Sequence, residues 1–221
     1  MNFQFSFYQD FLAPNQSAEL DATVRHRQLV VMHGSIELGM QTVAADHGIH
    51  FGGHGMLVAG AEGAWVWRCE IVARDTADSV LRAEGVTSTA VLTRPIDTLD
   101  LRSGSRWLFR ADTTTMPPGM VAHPHAHEGP GVRCLKFGQM RIESRETAAT
   151  YLPGEAWYES GPGDPVVAHA SATQPTVFVR MMLLPPEFFG RRSVRVVDPA
   201  NGDRPRARSA RRVYNDTLIE L

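Results

Sequence analysis

Gly119-Met-Val-Ala-His123-Pro-His125-Ala-His127-Glu-Gly-Pro-Gly131-Val-Arg133-Cys-Leu-Lys-Phe-Gly138 is the stretch on which the reading of this chain turns. Side chains alternate across an extended strand, so His125 and His127 project to the same face. In a barrel that face can be the interior, where two imidazoles reach one cation. Imidazole suits Fe, Mn, Ni, Cu and Zn alike, so the pair indicates a metal without naming it. His123 shares the face but lies four residues from His127, about 13 Å along a strand, too far for one ion to take all three.

On both sides of this stretch the chain reads as strand after strand. Residues 28–32, 36–42, 56–59 and 65–72 are short β-rich runs cut by Gly or Asp. A second series follows at 87–92, 107–115, 132–137, 140–143, 166–169 and 177–183. Strands at this spacing predict an all-β sandwich or barrel rather than βαβ units. Residues 73–83 are the one segment that reads as a short helix. The two series also match each other. Leu29 to Leu38 parallels Arg133 to Ile142 as strand, glycine turn (Gly34, Gly138), strand, and Trp65 to Val72 parallels Val177 to Leu184, with Arg68 against Arg180. This predicts a degenerate internal duplication. The segments are an N-terminal arm (1–20), a degenerate half (21–85), the site-bearing domain (86–185) and a C-terminal tail (186–221).

The spacing of Gly119, His125, His127 and Gly138 resembles the first motif of the cupins. The resemblance covers about residues 86–200. It implies a double-stranded β-helix, a jelly-roll barrel, with a cupin-like N-terminal half packed against it. Two family ligands have no counterpart. The glutamate position holds Gly131. The second motif, begun at Gly154, reads Ser160, Pro162, Pro165 and His169 where Pro, Gly, His and Asn are expected.

Glu159 is the first candidate to complete the site, since two histidines and one carboxylate make an open iron site. It would be a third metal ligand or a general base. His169 is the second candidate. The expected metal set is therefore His125, His127, Glu159 and His169, holding a divalent transition metal (Fe, Mn, Ni or Zn). The expected function is a metal-dependent enzyme acting on a small organic molecule, with oxygenase-type chemistry leading. A non-redox isomerase, lyase or cyclase is the alternative, as is a non-catalytic small-molecule-binding protein. A metal-free pocket, its histidines bonded to one another or to a bound acid, also fits the residues. Alternation puts Arg133 with Leu135 and Phe137, opposite Cys134, but does not say which face is inside. An inward arginine favours a carboxylate-bearing substrate.

Composition narrows the partners. A net charge of -2 with 43% hydrophobic residues gives no global reason to expect nucleic acid or a membrane. No apolar run approaches the roughly 18 residues of a membrane span, and Met1 to Asp10 has no basic region followed by an apolar stretch, so no leader is expected. Cys69 and Cys134 read as buried free thiols of a cytoplasmic protein. His47, His50 and His54 lie among glycines and read as a loop between strands. Eight arginines in residues 191–212 face only Asp198 and Asp203, yet no aromatic platform accompanies them. They are read as a tail wrapping the barrel or a partner subunit, and a homodimer is expected. Residues 213–219 alternate as a last strand.

Overall fold

The computed structural model describes residues 2–145, 147–197 and 209–221. Its regular elements are antiparallel strands, apart from a single 3₁₀ turn at Pro186–Phe188 among the described residues. The chain divides into two compact units, Met1–Ile96 and Asp97–Leu221.

The first unit contains β1 (Phe3–Leu12), β2 (Ser17–Leu20), β3 (His26–Leu38), β4 (Gln41–Ala44), β5 (Gly48–Phe51), β6 (Gly55–Ala73) and β7 (Val86–Pro95). The sheet order is β4-β3-β6-β1-β7, with β5 on β3 and β2 on β6. Leu29, Val31, Ile36, Leu38, Leu57 and Val66 anchor its core. Each such side chain contributes about 1.5–3 kcal/mol by leaving water. Below this apolar layer lies a buried ionic network. Arg68 bonds Asp10 through Nε (2.7 Å) and Nη2 (3.2 Å), and also bonds Glu70. Arg27 Nε reaches Glu70 at 3.3 Å.

Two sequence expectations change here. The presumed arm contains β1, an inner strand between β6 and β7. Its Phe5 and Phe7 bury on one face, while Tyr8, Asp10 and Leu12 bury on the other, so both sides are committed to packing. Because β7 pairs β1, residues 86–95 belong to the first unit. Residues 73–83 form no helix: β6 runs to Ala73 and no regular element follows before β7. The cause is tertiary. Arg68 bonds the hydroxyl (2.9 Å) and carbonyl (3.0 Å) of Ser79, and the Ser79 N–H donates to Tyr8 (3.1 Å). Those bonds take backbone groups that a helix would need.

The second unit contains β8 (Arg106–Met116), β9 (Val121–His127), β10 (Gly131–Phe137), β11 (Met140–Glu143), β12 (Ala148–Tyr151), β13 (Ala156–Glu159), β14 (Val166–Ala170), β15 (Thr176–Leu184), β16 (Val194–Val196) and β17 (Ala210–Glu220). They form two sheets, β13-β10-β15-β8-β17 and β12-β11-β14-β9-β16. Leu135, Met140, Trp157, Val166 and Phe178 belong to its core. The final strand read at 213–219 is β17. Residues 198–208, most of the arginine-rich tail, lie outside the described residues.

The two units repeat one topology. The path β5-β3-β6-β1-β7 corresponds strand for strand to β13-β10-β15-β8-β17. In the first unit β3 and β6 are long strands of one sheet; in the second, β10 with β11 and β14 with β15 split the corresponding runs between two sheets. The glycine turns correspond atom by atom. A Cβ on Gly34 would strike the Gly63 carbonyl, and one on Gly138 the Pro175 carbonyl, with φ at +70° and +85°. Leu29 faces Arg68 as Arg133 faces Arg180. The duplication is thus written in strand order and register.

Candidate functional site

The repeated register also shows where the units differ. Gly131 lies opposite Met182 and Glu159, whereas the equivalent position in the first unit is Arg27, opposite Glu70. The first unit fills this level with an ion pair, and the second leaves a glycine. A Cβ at Gly131 would lie 2.5 Å from the Met181 carbonyl oxygen and 2.8 Å from Met182 Cα. A ligand side chain at this position therefore has no room.

His125 and His127 end β9, held by β14 through Val166 and by β16 through Val194 and Val196. Their rings are perpendicular, with centroids 5.4 Å apart. His125 Nδ1 lies 2.8 Å from the His123 carbonyl, an acceptor, so this nitrogen carries the hydrogen and Nε2 keeps its lone pair. His127 is buried. Burial, then the positive Arg133 and Arg180, hold its pKa well below the usual histidine value, and the ring is neutral. Its Nε2 stands 3.6 Å from Glu159 Oε2, and its Nδ1 has no hydrogen-bond partner among the described residues.

Glu159 is already engaged. Trp157 Nε1 donates to its Oε1 at 2.9 Å, and Arg133 Nη2 lies 2.9 Å from its Oε2. Arg133 points inward with Leu135. A register shift between Leu135 and Phe137 turns Phe137 out, 48% exposed, which breaks the alternation read from sequence. Arg133 Nη1 donates to the Gly131 carbonyl, while its buried Nε has no hydrogen-bond partner among the described residues. Arg180, opposite Arg133 in register, bonds Asp112 bidentately at 2.7 and 2.8 Å, and Arg211 Nε lies 3.7 Å from the same carboxylate.

His125, His127 and Glu159 are thus brought to one region of the barrel. His169 is not. It faces Val121 across β14–β9, three residues and about 10 Å along the strand from Val166, which faces His125. Its Nε2 is 3.5 Å from Glu143 Oε1 instead. Asp112 was missed by sequence reasoning. Its signal was faint: Arg110 and Asp112, two apart, follow the apolar run Trp107-Leu-Phe109 and precede three threonines.

Comparison with solved structures places this arrangement. Bacillus subtilis oxalate decarboxylase, in a structure concerned with its Mn(II) centres, matches with a TM-score of 0.63 at 11% identity, over 90% of this chain and 73% of that one. The formate complex of Lactobacillus farciminis oxalate decarboxylase gives 0.61 at 11% identity, over 90% and 82%. The chain has the cupin fold. Procruciferin, an 11S globulin from Brassica napus, matches equally well, at 0.61 and 7% identity over 88% and 78%. A decarboxylase and a globulin thus share this cupin architecture, and the fold alone does not select a chemistry. No family model and no curated protein matches the chain.

The donor set of this chain does not fit a metal held by three protein ligands. Among the described residues no group of three or more His, Cys, Asp or Glu is arranged to hold an ion. Both oxygens of Glu159 are taken by N–H donors, one of them a guanidinium. Arg133 and Arg180, which disfavour a proton on His127, disfavour a second cation for the same reason. No helix among the described residues is long and apolar enough to cross a membrane.

Proposed function

We propose that the second unit is a small-molecule-binding cupin domain whose ligand carries a carboxylate. One observation carries this reading: among the described residues, three guanidiniums (Arg133, Arg180, Arg211) meet two carboxylates (Glu159, Asp112). Excess positive charge inside a barrel is costly unless an anion offsets it. The unpartnered Arg133 Nε belongs to a side chain that flanks Glu159 Oε2 and can donate to an incoming anion, while neutral His127, its one hydrogen on the Nε2 that faces the carboxylate, keeps Nδ1 as an acceptor. The neutral His127 adds hydrogen bonding without adding charge. Half-buried His125 offers its Nε2 lone pair to a ligand hydroxyl.

The test is thermal unfolding of the full chain against a panel of small mono- and dicarboxylates. A ligand at 100 times its Kd raises stability by about 2.7 kcal/mol, a midpoint shift of several degrees. At least one acid should give a saturable shift that Arg133→Gln removes. Amides and alcohols of the same carbon skeleton should give none. A flat response across the panel would overturn the reading.

A second reading keeps the metal-dependent enzyme expected from sequence, with oxygenase-type chemistry and a non-redox isomerase or lyase as variants. It is supported by the 3.6 Å approach of His127 Nε2 to Glu159 Oε2 beside His125. It requires Glu159 to give up Arg133. One equivalent of iron or manganese in the purified protein, lost on His125→Ala, would favour it over anion binding.

A further inference from the structure

A second imidazole pair lies in the first unit, whereas the site just described belongs to the second. His26 is on β3 and His50 on β5, the strand that includes the middle histidine of the glycine-rich segment. Gln28 faces His50 in the ladder, so His26 is its diagonal neighbour two positions along, on the same face. That face is opposite to the one on which Arg27 and Leu29 point into the barrel. Both rings are half-buried, with centroids 5.5 Å apart and planes at 31°. The facing atoms are His26 Nδ1 and His50 Nε2, 3.4 Å apart.

That separation is informative. Good hydrogen bonds from N–H donors span about 2.7–3.2 Å, so 3.4 Å is long for one. Two nitrogens bound to a tetrahedral ion at about 2.0–2.1 Å are separated by roughly 3.3–3.4 Å. The backbone beneath the pair is fixed. Residues 27–30 of β3 are laddered to β5 on one side and β6 on the other. Gly52, just past β5, packs against the Arg25 carbonyl so closely that no Cβ fits between them. His47 and His54 are used elsewhere: His47 Nδ1 is 3.0 Å from the Ala45 carbonyl, and His54 Nδ1 is 3.1 Å from Glu19.

We propose that His26 and His50 form a binding site for a divalent transition-metal ion of the Zn²⁺, Ni²⁺ and Cu²⁺ class, with water completing the coordination. These ions favour imidazole nitrogen. The site is independent of His125 and His127, which belong to the other unit.

Zn²⁺ and Ni²⁺ are titrated calorimetrically into a His125→Gln/His127→Gln chain, which removes the other imidazole pair. One saturable site is expected. His26→Gln or His50→Gln added to that background should weaken it by about tenfold or more. Retained far-ultraviolet dichroism shows that these chains are folded. The unmodified chain supplies a second measurement: sub-stoichiometric Ni²⁺ should broaden the His26 and His50 imidazole resonances before those of His47 and His54. Affinity unchanged by both substitutions, or no selective broadening of His26 and His50, overturns the proposal.

Discussion

Asp112 and Arg180 form a bidentate pair in the second unit, both side chains nearly or fully buried. Such a pair adds little net stability, because desolvating two ions costs about what their attraction returns. Breaking it is another matter. Asp112→Asn leaves Arg180 facing Arg133 with no full counter-charge, and urea unfolding should show a loss of about 3–5 kcal/mol. Asp112→Asn with Arg180→Met should recover most of that loss, since neither charge is then left alone. The histidines set the pH response. Burial, then the charges of His26 and Arg27, lower the His50 pKa to about 4 from the ordinary histidine value of 6.5. Between these values the unfolded chain binds more protons than the folded one, so stability falls as pH drops. From His50 alone the loss should approach about 3 kcal/mol near pH 4. His127, shifted in the same direction by burial and Arg133, adds to it. Guanidinium denaturation from pH 7 to 4 measures the slope, and His50→Gln should flatten it.

At the scale of elements, much of the chain was legible before any coordinates. The spacing of Gly119, His125, His127 and Gly138 resembles the first cupin motif, and the jelly roll that this resemblance implies is the fold observed. Period-two runs marked most of the strands. β1 was not legible: Phe3, Phe5 and Phe7 looked like an adhesive arm, and only the pairing with β6 and β7 shows that Tyr8 and Asp10 are buried as well. The 73–83 segment misled because helix propensity is local, whereas the bonds from Arg68 and Tyr8 to Ser79 are not. Nor could sequence join Arg133 to Glu159, since their meeting depends on the β10–β13 register. The inner position of β1 carries its own prediction. Removing residues 2–12 strips a ten-residue strand and leaves β6 and β7 with unpaired edges. Near-ultraviolet dichroism of the shortened chain should lose its cooperative thermal transition, and the protein should aggregate. A sharp transition close to that of the full chain would contradict the assignment of β1 to the core.

Across the whole molecule, one topology is used twice with different contents. The first unit closes the level of Arg27, Arg68, Glu70 and Asp10 with its own ion pairs. The second places Gly131 and Met182 there and gathers Arg133, Arg180 and Arg211 against Glu159 and Asp112, three guanidiniums to two carboxylates, beside His127. On this account the second copy is the one that binds the carboxylate. The Gly131 position lacks room for the family's glutamate, and Glu159 is bound to Arg133, so carboxylate binding should not depend on a metal. Calorimetric titration tests this most directly, using protein stripped with a chelator, the chelator kept present, and the best acid from the unfolding panel as ligand. The account predicts saturable binding of one carboxylate per chain, abolished by Arg133→Gln. Binding that vanishes in chelator and returns only when iron or manganese is restored would contradict it.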